Sequence, residues 1–226
     1  MNILNAVLTI LPTTLELFIL SALSAAKRIS GGKYAEVYHF DAKADIIDLI
    51  RASHPELAKK TAALQLGYFA TNWMGPTPIR PKRQADGGFV IGAVAPPHVL
   101  QPFVVPDRDP AVFVTAIAAL PPQDRLVVYY GYSEMLSFEA WAALLSKALQ
   151  AKVTYREMTL QEYEDETDFA KGSGVGRELG EMYAYASDYG FDGGEEGVVP
   201  VKSLALKRQP VTMEEYVMGA DFSALL

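Results

Sequence analysis

The order of strand and helix signals between residues 15 and 69 constrains the fold most. An apolar segment at 15–21, LELFILS, predicts a strand buried on both faces, and AALQLGYF predicts another at 62–69. A helical pattern from about Asp41 to Ser53 separates them, with Asp41 as its N-cap and an apolar stripe of Ile46, Ile47, Leu49 and Ile50. A strand, a crossover helix and a second strand predict a parallel sheet covered by helices.

The apolar run from Asn5 to Ser24 is compatible with a signal peptide, a membrane span or the interior of a fold. No Lys or Arg precedes it and Glu16 interrupts it, which argues against a secretory signal. Pro12, Thr13, Thr14 and Glu16 also argue against a membrane span. We therefore expect a helix at Asn5–Leu11, a turn at Pro12–Thr14 and then the strand, with neither export nor a membrane anchor.

Composition narrows the class of protein. The 226 residues are 50% hydrophobic, contain no cysteine and carry a net charge of −7. The lack of cysteine excludes a disulfide framework and makes a reducing, cytoplasmic location the expectation. The negative charge argues against nucleic acid as a direct partner, because such a protein needs a basic face. His39, His54 and His98 are too far apart in sequence for a helical zinc pair, so no metal site is predicted.

After Asn72 the composition of the sequence changes. Residues 73–108 are rich in proline and glycine and predict a long loop excursion with short β-like pieces. Four further helices are predicted at 109–120, 137–150, 160–170 and 176–190, and two further strands at 125–131 and 152–159. Asp109 is the predicted N-cap of the first of these helices, with Pro110 in its first turn, and Ser137 is the predicted N-cap of the second. We assign 1–150 to a nucleotide-type domain and 151–226 to a smaller lobe.

Three charged or glycine-rich motifs have simpler structural explanations. KGSGVGRELG at 171–180 resembles a phosphate loop, but it follows an acidic helical stretch and not a strand, so we interpret it as a connection between helices. RPKRQADGG groups Arg80, Lys82 and Arg83 and predicts a solvated hairpin that could meet an anion. The acidic run EYEDETD predicts a helix surface that faces water.

Lys43 is the most informative single residue. We place it in the first turn of its helix, near the carboxyl end of the strand that bears Ser21 and Ser24, where α/β proteins bind ligands. A lysine in a first turn opposes the helix dipole, and a functional role would compensate for that cost. We predict that Lys43 lies within reach of Ser21 or Ser24 and of Tyr68.

Three segments, SGGKYAEVYHFDAKADIIDLIR, LQLGYFATNW and GYSEMLSFEAWAALLSKALQAKVTYREMTLQEYED, resemble the NmrA-like family in order and spacing. This family of atypical short-chain dehydrogenase/reductase relatives includes fungal nitrogen-metabolite regulators and is similar to isoflavone-reductase-type enzymes. The resemblance implies a Rossmann-type domain, a smaller lobe and a cleft for NADP(H) and a second ligand. It implies that Lys43 approaches the nicotinamide ribose and that the cleft beside the nicotinamide is lined by Gly67, Tyr68, Phe69 and Asn72.

The sequence departs from the family at one end. Relatives begin with a strand and a Gly-x-x-Gly-x-x-Gly turn that holds the pyrophosphate, and these 226 residues contain neither. The expected fold is therefore an incomplete NAD(P)-binding Rossmann-type parallel sheet with a smaller carboxyl-terminal α/β lobe. We expect impaired NADP binding, and we expect the strand at 15–21 to be an open edge that favours self-association.

Three functions remain open at this level. The first is a regulatory or ligand-binding protein of the family without NADPH turnover. The second is an NADP-dependent reductase, if the missing segment is supplied, with Lys43 organising the nicotinamide and Tyr68 or Ser21 donating a proton. The third is a non-redox enzyme that binds a small apolar metabolite against Tyr68, Trp73 and Phe103.

Overall fold

The computed structural model describes residues 3–167 and 172–225. The helices are Ile3–Ile10 (α1), Ala26–Ile29 (α2), Tyr38–Ser53 (α3), Pro55–Ala58 (α4), Asp109–Ala118 (α5), Phe138–Leu149 (α6), Leu160–Thr167 (α7), Val175–Tyr189 (α8) and Met213–Gly219 (α9). The strands are Phe18–Ala22 (β1), Thr61–Leu66 (β2), Tyr68–Phe69 (β3), Lys82–Arg83 (β4), Phe89–Ala93 (β5), Leu100–Val104 (β6), Val127–Gly131 (β7), Glu134–Ser137 (β8), Val153–Glu157 (β9) and Val199–Pro200 (β10).

A parallel sheet organises the first part of the chain. Its strand order is β1-β2-β7-β10, and every pair in it is parallel. Apolar side chains of α3, α4 and the sheet form one cluster, and apolar side chains of α5 and the sheet form another. Helices therefore cover both faces, as parallel strands require. The predicted α/β fold with a parallel Rossmann-type sheet is confirmed.

The first strand is shorter and less buried than predicted. It spans Phe18–Ala22 and not 15–21, and its first three residues are only half-buried while Ser21 is exposed. The predicted burial on both faces is wrong. Among the described residues β1 pairs only with β2, and none of the residues of α1, which packs near it, is buried. A strand with one neighbour and a loosely packed cover cannot bury its side chains fully.

Helix α3 begins three residues before the predicted start, and the N-cap role of Asp41 is wrong. Asp41 Oδ1 accepts a hydrogen bond from the backbone N–H of Lys27 at 3.0 Å. The free N–H of His39 in the first turn is bound instead by Glu178 Oε1, at 2.8 Å. A carboxylate on α8 thus takes the capping role, which favours the helix N-terminus in the same way as a local acidic residue.

The predictions of two further helix N-caps, Asp109 and Ser137, have opposite outcomes. Asp109 does not cap α5; Arg108 occupies that position and the Asp109 side chain turns into the core, so the prediction is wrong. Its carboxylate accepts hydrogen bonds from Val105 N at 3.1 Å, from Val211 N at 3.0 Å and from the Ser133 hydroxyl. Ser137 caps α6 as predicted, because its Oγ accepts from Ala140 N at 3.2 Å.

The excursion at 73–108 contributes strands to two small sheets. Its β4 and β5 form an antiparallel hairpin, and β5 pairs in parallel with β9. The third strand of the excursion, β6, lies between β3 and β8. Because β9 lies beyond residue 150, the excursion and the carboxyl-terminal segment share a sheet. The division into two domains at residue 150 stays a prediction.

Helices α7 and α8 pack against each other beside these small sheets. The predicted helix at 160–170 extends to residues 168–170, which lie outside the described residues, as does Lys171. Of the described helices, none is long and apolar enough to cross a membrane. The main hydrophobic core lies between the sheets and the helices α6 and α8.

Candidate functional site

A cavity of about 400 Å³ opens at the carboxyl ends of β1 and β2, a volume typical of small-molecule sites. Its walls come from these strand ends, from α3 and from the facing side of α8. The structure brings every residue that the sequence nominated for catalysis or cofactor binding to this cavity: Ser21, Lys43, Gly67, Tyr68, Phe69 and Asn72. Their catalytic and cofactor-binding roles stay predictions.

Lys43 lies in the second turn of α3, because the helix begins earlier than predicted. Its side chain is half-buried, and burial lowers the pKa of its ammonium group. Within the part of the chain that the structure describes, Lys43 makes no hydrogen bond or ion pair. It shares the cavity with Ser21 and Tyr68, but no hydrogen bond joins the three described side chains, so the predicted polar cluster exists only as a shared cavity wall.

Ser24 is not part of the cavity wall. Its hydroxyl donates to the carbonyl oxygen of Phe191 at 3.0 Å and is hydrogen-bonded to the Tyr185 hydroxyl at 2.9 Å. These contacts hold the loop after α8 against the end of β1. Of the two serines that the prediction offered as alternatives, Ser21 therefore shares the cavity with Lys43, and Ser24 serves this packing role.

Tyr68 is almost completely buried at the inner wall of the cavity. Its hydroxyl oxygen accepts a hydrogen bond from the Tyr183 hydroxyl at 3.1 Å. Burial raises the pKa of Tyr68 well above its ordinary value, and burial raises the pKa of Tyr183 as well. Tyr68 is therefore a neutral hydrogen-bond donor at physiological pH and has no activated proton.

The segment after β2 shapes the mouth of the cavity. A Cβ added to Gly67 would lie 2.1 Å from the backbone oxygen of Pro102, so the close approach of β6 requires glycine there, independently of any ligand. Phe69 is 39% exposed and its ring lies at the mouth. Asn72 follows within a 3₁₀ turn at Ala70–Met74 and is exposed.

Sequence reasoning missed a pair of buried hydroxyls on α7. Tyr163 and Thr167 belong to the acidic run that predicted a water-facing surface, yet both are buried. Tyr163 lines the cavity, and neither hydroxyl makes a hydrogen bond of standard geometry among the described residues, although the hydroxyls of Tyr183, Thr167 and Thr77 are neighbours of the Tyr163 hydroxyl. Burial raises the pKa of Tyr163 to about 12. The spacing of Leu160, Tyr163 and Thr167, at intervals of three and four residues, is the signal that could have identified this buried face.

His39 stands one helical turn before Lys43 and also lines the cavity. Its Nδ1 lies 2.6 Å from Glu178 Oε1, and because a carboxylate only accepts hydrogen bonds, Nδ1 carries the proton. The imidazole ring is therefore oriented from outside the cavity by α8. No group of three or more potential metal ligands occurs within residues 3–167 and 172–225.

The aromatic wall proposed from the sequence is only partly present. Tyr68 lines the cavity, whereas Trp73 and Phe103 lie in the core and not on the wall. The indole Nε1 of Trp73 donates to the Tyr216 hydroxyl at 3.0 Å, and the Phe103 ring packs on Trp141. These two aromatic residues have structural partners that keep them away from the cavity.

The basic hairpin and the glycine-rich motif have the structural roles that were expected of them. In the hairpin at 82–93, Lys82 pairs with Glu166 at 2.7 Å, and the Arg83 guanidinium lies over the Phe89 ring. Gly174 precedes α8, which follows α7 and not a strand. A Cβ at Gly176 would lie 2.9 Å from the backbone of Glu164, so this glycine allows the two helices to approach.

The sequence model of the NmrA-like family matches residues 9–217. The chain belongs to the NmrA-like family. The resemblance in the sequence motifs is thereby confirmed, and the fold is that of NAD(P)-binding Rossmann-type proteins. No curated protein is significantly similar in sequence to this NmrA-like chain.

Solved structures share the fold at low sequence identity. The negative transcriptional regulator NmrA in complex with NAD is 18% identical, with a TM-score of 0.64 over 90% of this chain and 64% of that one. The NADPH-dependent quinone oxidoreductase of Escherichia coli complexed with NADPH is 16% identical, with a TM-score of 0.67 over 94% and 68% of the two chains. Isoflavone reductase is 16% identical, with a TM-score of 0.60 over 89% and 64%. This chain thus spans about two thirds of the length of each.

Proposed function

We propose that this NmrA-like chain is a ligand-binding, regulatory protein whose cavity at the ends of β1 and β2 receives a small molecule, and that it does not turn over NADPH. The observation that carries the proposal is the chemistry of the cavity wall. The phenols that face it have raised pKa values, and its lysine has no described partner. Such groups bind polar atoms well, but a phenol whose pKa is raised is a poorer proton donor for a reductase.

The cavity suits one end of a dinucleotide. A flat nicotinamide ring fits the apolar wall beside Phe69, and Lys43 and Asn72 are the polar groups that would contact it. The nicotinamide of NADPH, when bound, would supply hydride chemistry. The 226 residues offer no glycine-rich turn between a strand and a helix for the pyrophosphate, and their net charge of −7 does not attract an anion. We therefore propose weak NADP binding by this chain.

Calorimetry with NADPH tests this proposal. We expect no tight binding, and we expect no NADPH oxidation at 340 nm when menadione is added as a quinone acceptor. A micromolar dissociation constant together with oxidation would refute the regulatory function and favour the reductase that the fold of the quinone oxidoreductase suggests. Circular dichroism of the same sample establishes that the protein is folded.

We also propose that the 226-residue chain self-associates through β1. Among the described residues this strand pairs on one side only, and half-buried Phe18 adds an apolar side chain to it. Light scattering should show association that increases with concentration and that Phe18→Lys reduces. Tyr38→Lys, at an exposed position on α3, serves as the matched control. A wild-type monomer whose Phe18→Lys variant unfolds would contradict the proposal. Because the chain has a net charge of −7, we expect neither nucleic acid nor a membrane as a partner.

A further inference from the structure

The charge distribution of the cavity wall differs from that of the whole chain. The sequence contains 27 acidic residues, yet none of the described residues that line the cavity is an aspartate or a glutamate. Lys43 contributes an ammonium group that has no partner in the described structure. The carboxylate of Glu178, behind the wall, is engaged by the ring and the backbone N–H of His39. An anion that enters the cavity therefore meets a free cation and no opposing carboxylate from the described residues.

The lysine is held in surroundings that favour an ion pair. The side chain is half-buried, and burial lowers the pKa of the ammonium group, whose charge no described residue compensates. A bound anion would supply that compensation, and an ion pair that excludes water is stronger than an exposed one. Several surface lysines, such as Lys59 with Glu56, already have this compensation within the protein.

Much of the rest of the wall is apolar, and one of its polar groups, on α7, is buried without a partner among the described residues. Aromatic and aliphatic side chains form most of the surface: Leu23, Phe40, Phe69, Leu179, Met182 and Phe191. This group is the Tyr163 hydroxyl. A buried polar group without a partner is destabilising, so a ligand oxygen that pairs with this hydroxyl gains affinity.

We propose that the cavity binds a small amphipathic carboxylate. Its carboxylate pairs with Lys43, its apolar body lies among the rings, and a second oxygen is hydrogen-bonded to Tyr163. The inference rests on the proposed ligand-binding function and names the chemical class of the ligand. The cavity volume of about 400 Å³ accommodates an aromatic acid of one ring with a polar substituent.

Calorimetry on the 226-residue chain with three matched probes tests the proposal. The probes are 4-hydroxybenzoate, benzoate without the second oxygen, and 4-hydroxybenzyl alcohol without the charge. We expect 4-hydroxybenzoate to bind most tightly, benzoate about fivefold to tenfold more weakly, and the alcohol more than about tenfold more weakly. Equal affinity for 4-hydroxybenzoate and the alcohol would overturn the proposal.

Variants assign each contact to its residue. In Lys43→Met the preference for the acid over the alcohol should fall towards one, and in Tyr163→Phe the preference for 4-hydroxybenzoate over benzoate should do the same. Lys152→Met replaces an exposed lysine that does not line the cavity and should retain both preferences. Thermal melts establish that each variant is folded. Preferences that survive in Lys43→Met would also overturn the proposal.

A fourth probe separates this inference from the proposed function. 4-Methylanisole is neutral, apolar and of similar size. If it binds and the two acids do not, the cavity binds ligands but not carboxylates, so the inference fails while the proposed function stands. If none of the four probes binds, both fail.

Discussion

Tyr163→Phe should stabilise the ligand-free protein, although the substitution removes a polar group from the core. The Tyr163 hydroxyl is buried without a partner among the described residues, and the ring itself packs against Tyr183 with centroids 5.4 Å apart. Phenylalanine keeps that ring contact and removes only the unpaired hydroxyl. Relieving one unsatisfied buried group should raise the free energy of unfolding by about 1 kcal/mol or more.

The melting temperature measures this effect directly. For a chain of this size, 1 kcal/mol corresponds to about 2–4 °C, so the Tyr163→Phe variant should melt roughly 2–4 °C above the wild type by calorimetry. Tyr155→Phe is the matched control, because the Tyr155 hydroxyl hydrogen-bonds to the carbonyl oxygens of Ala93, at 3.0 Å, and Ala95, at 2.6 Å. That variant should melt lower by about 2–4 °C, since it removes the hydroxyl that donates to the Ala95 carbonyl oxygen, whereas the Ala93 carbonyl oxygen keeps the backbone N–H of Met158 at 2.9 Å.

The sign of the difference decides the argument. If Tyr163→Phe lowers the melting temperature as much as Tyr155→Phe does, the Tyr163 hydroxyl has a stabilising partner in solution. The cavity then has no unpaired hydroxyl to offer a ligand, and that part of the inference falls as well.

Three further predictions concern the cavity and its support. Gly67→Ala should destabilise the protein by about 1–3 kcal/mol or more in urea unfolding, because the new Cβ meets the Pro102 backbone, whereas Gly219→Ala, with open space around it, should cost far less. Lys43→Met should stabilise the protein near pH 7. The folded pKa of Lys43 lies below its unfolded value near 10.5, so the wild type gains stability as the pH rises between these two pKa values. The stability advantage of the variant should therefore shrink towards pH 10, and an advantage that does not change with pH would contradict this. Asp109→Asn should lower the free energy of unfolding by about 2–3 kcal/mol, since one amide oxygen cannot accept hydrogen bonds from Val105, Val211 and Ser133 together. The control Asp124→Asn, at an exposed position, should lower it little, and equal melting temperatures for the two variants would refute the role of Asp109.

The candidate site could be predicted because parallel strands end at one edge of a sheet. Ser21 is the last residue but one of β1 and Gly67 follows β2, and the order of elements places Lys43 in the helix between these strands. Once the strands are known to be parallel, these residues must meet. Tyr163 could not be found in this way, because its position depends on how α7 packs against α8 and the small sheets, and the acidic residues around it suggested exposure.

The sequence by itself determined the parallel α/β fold, the end of α3 before His54-Pro55 and the Ser137 cap of α6, since these depend on periodicity and on bonds between residues close in the chain. Only the tertiary structure decided what Asp41 and Asp109 do. Each was expected to cap its own helix, but the N–H groups of Lys27 and Val211 bind them, and Glu178 binds the start of α3. A carboxylate binds whichever N–H group packing presents to it, and contacts between residues far apart in sequence determine that packing.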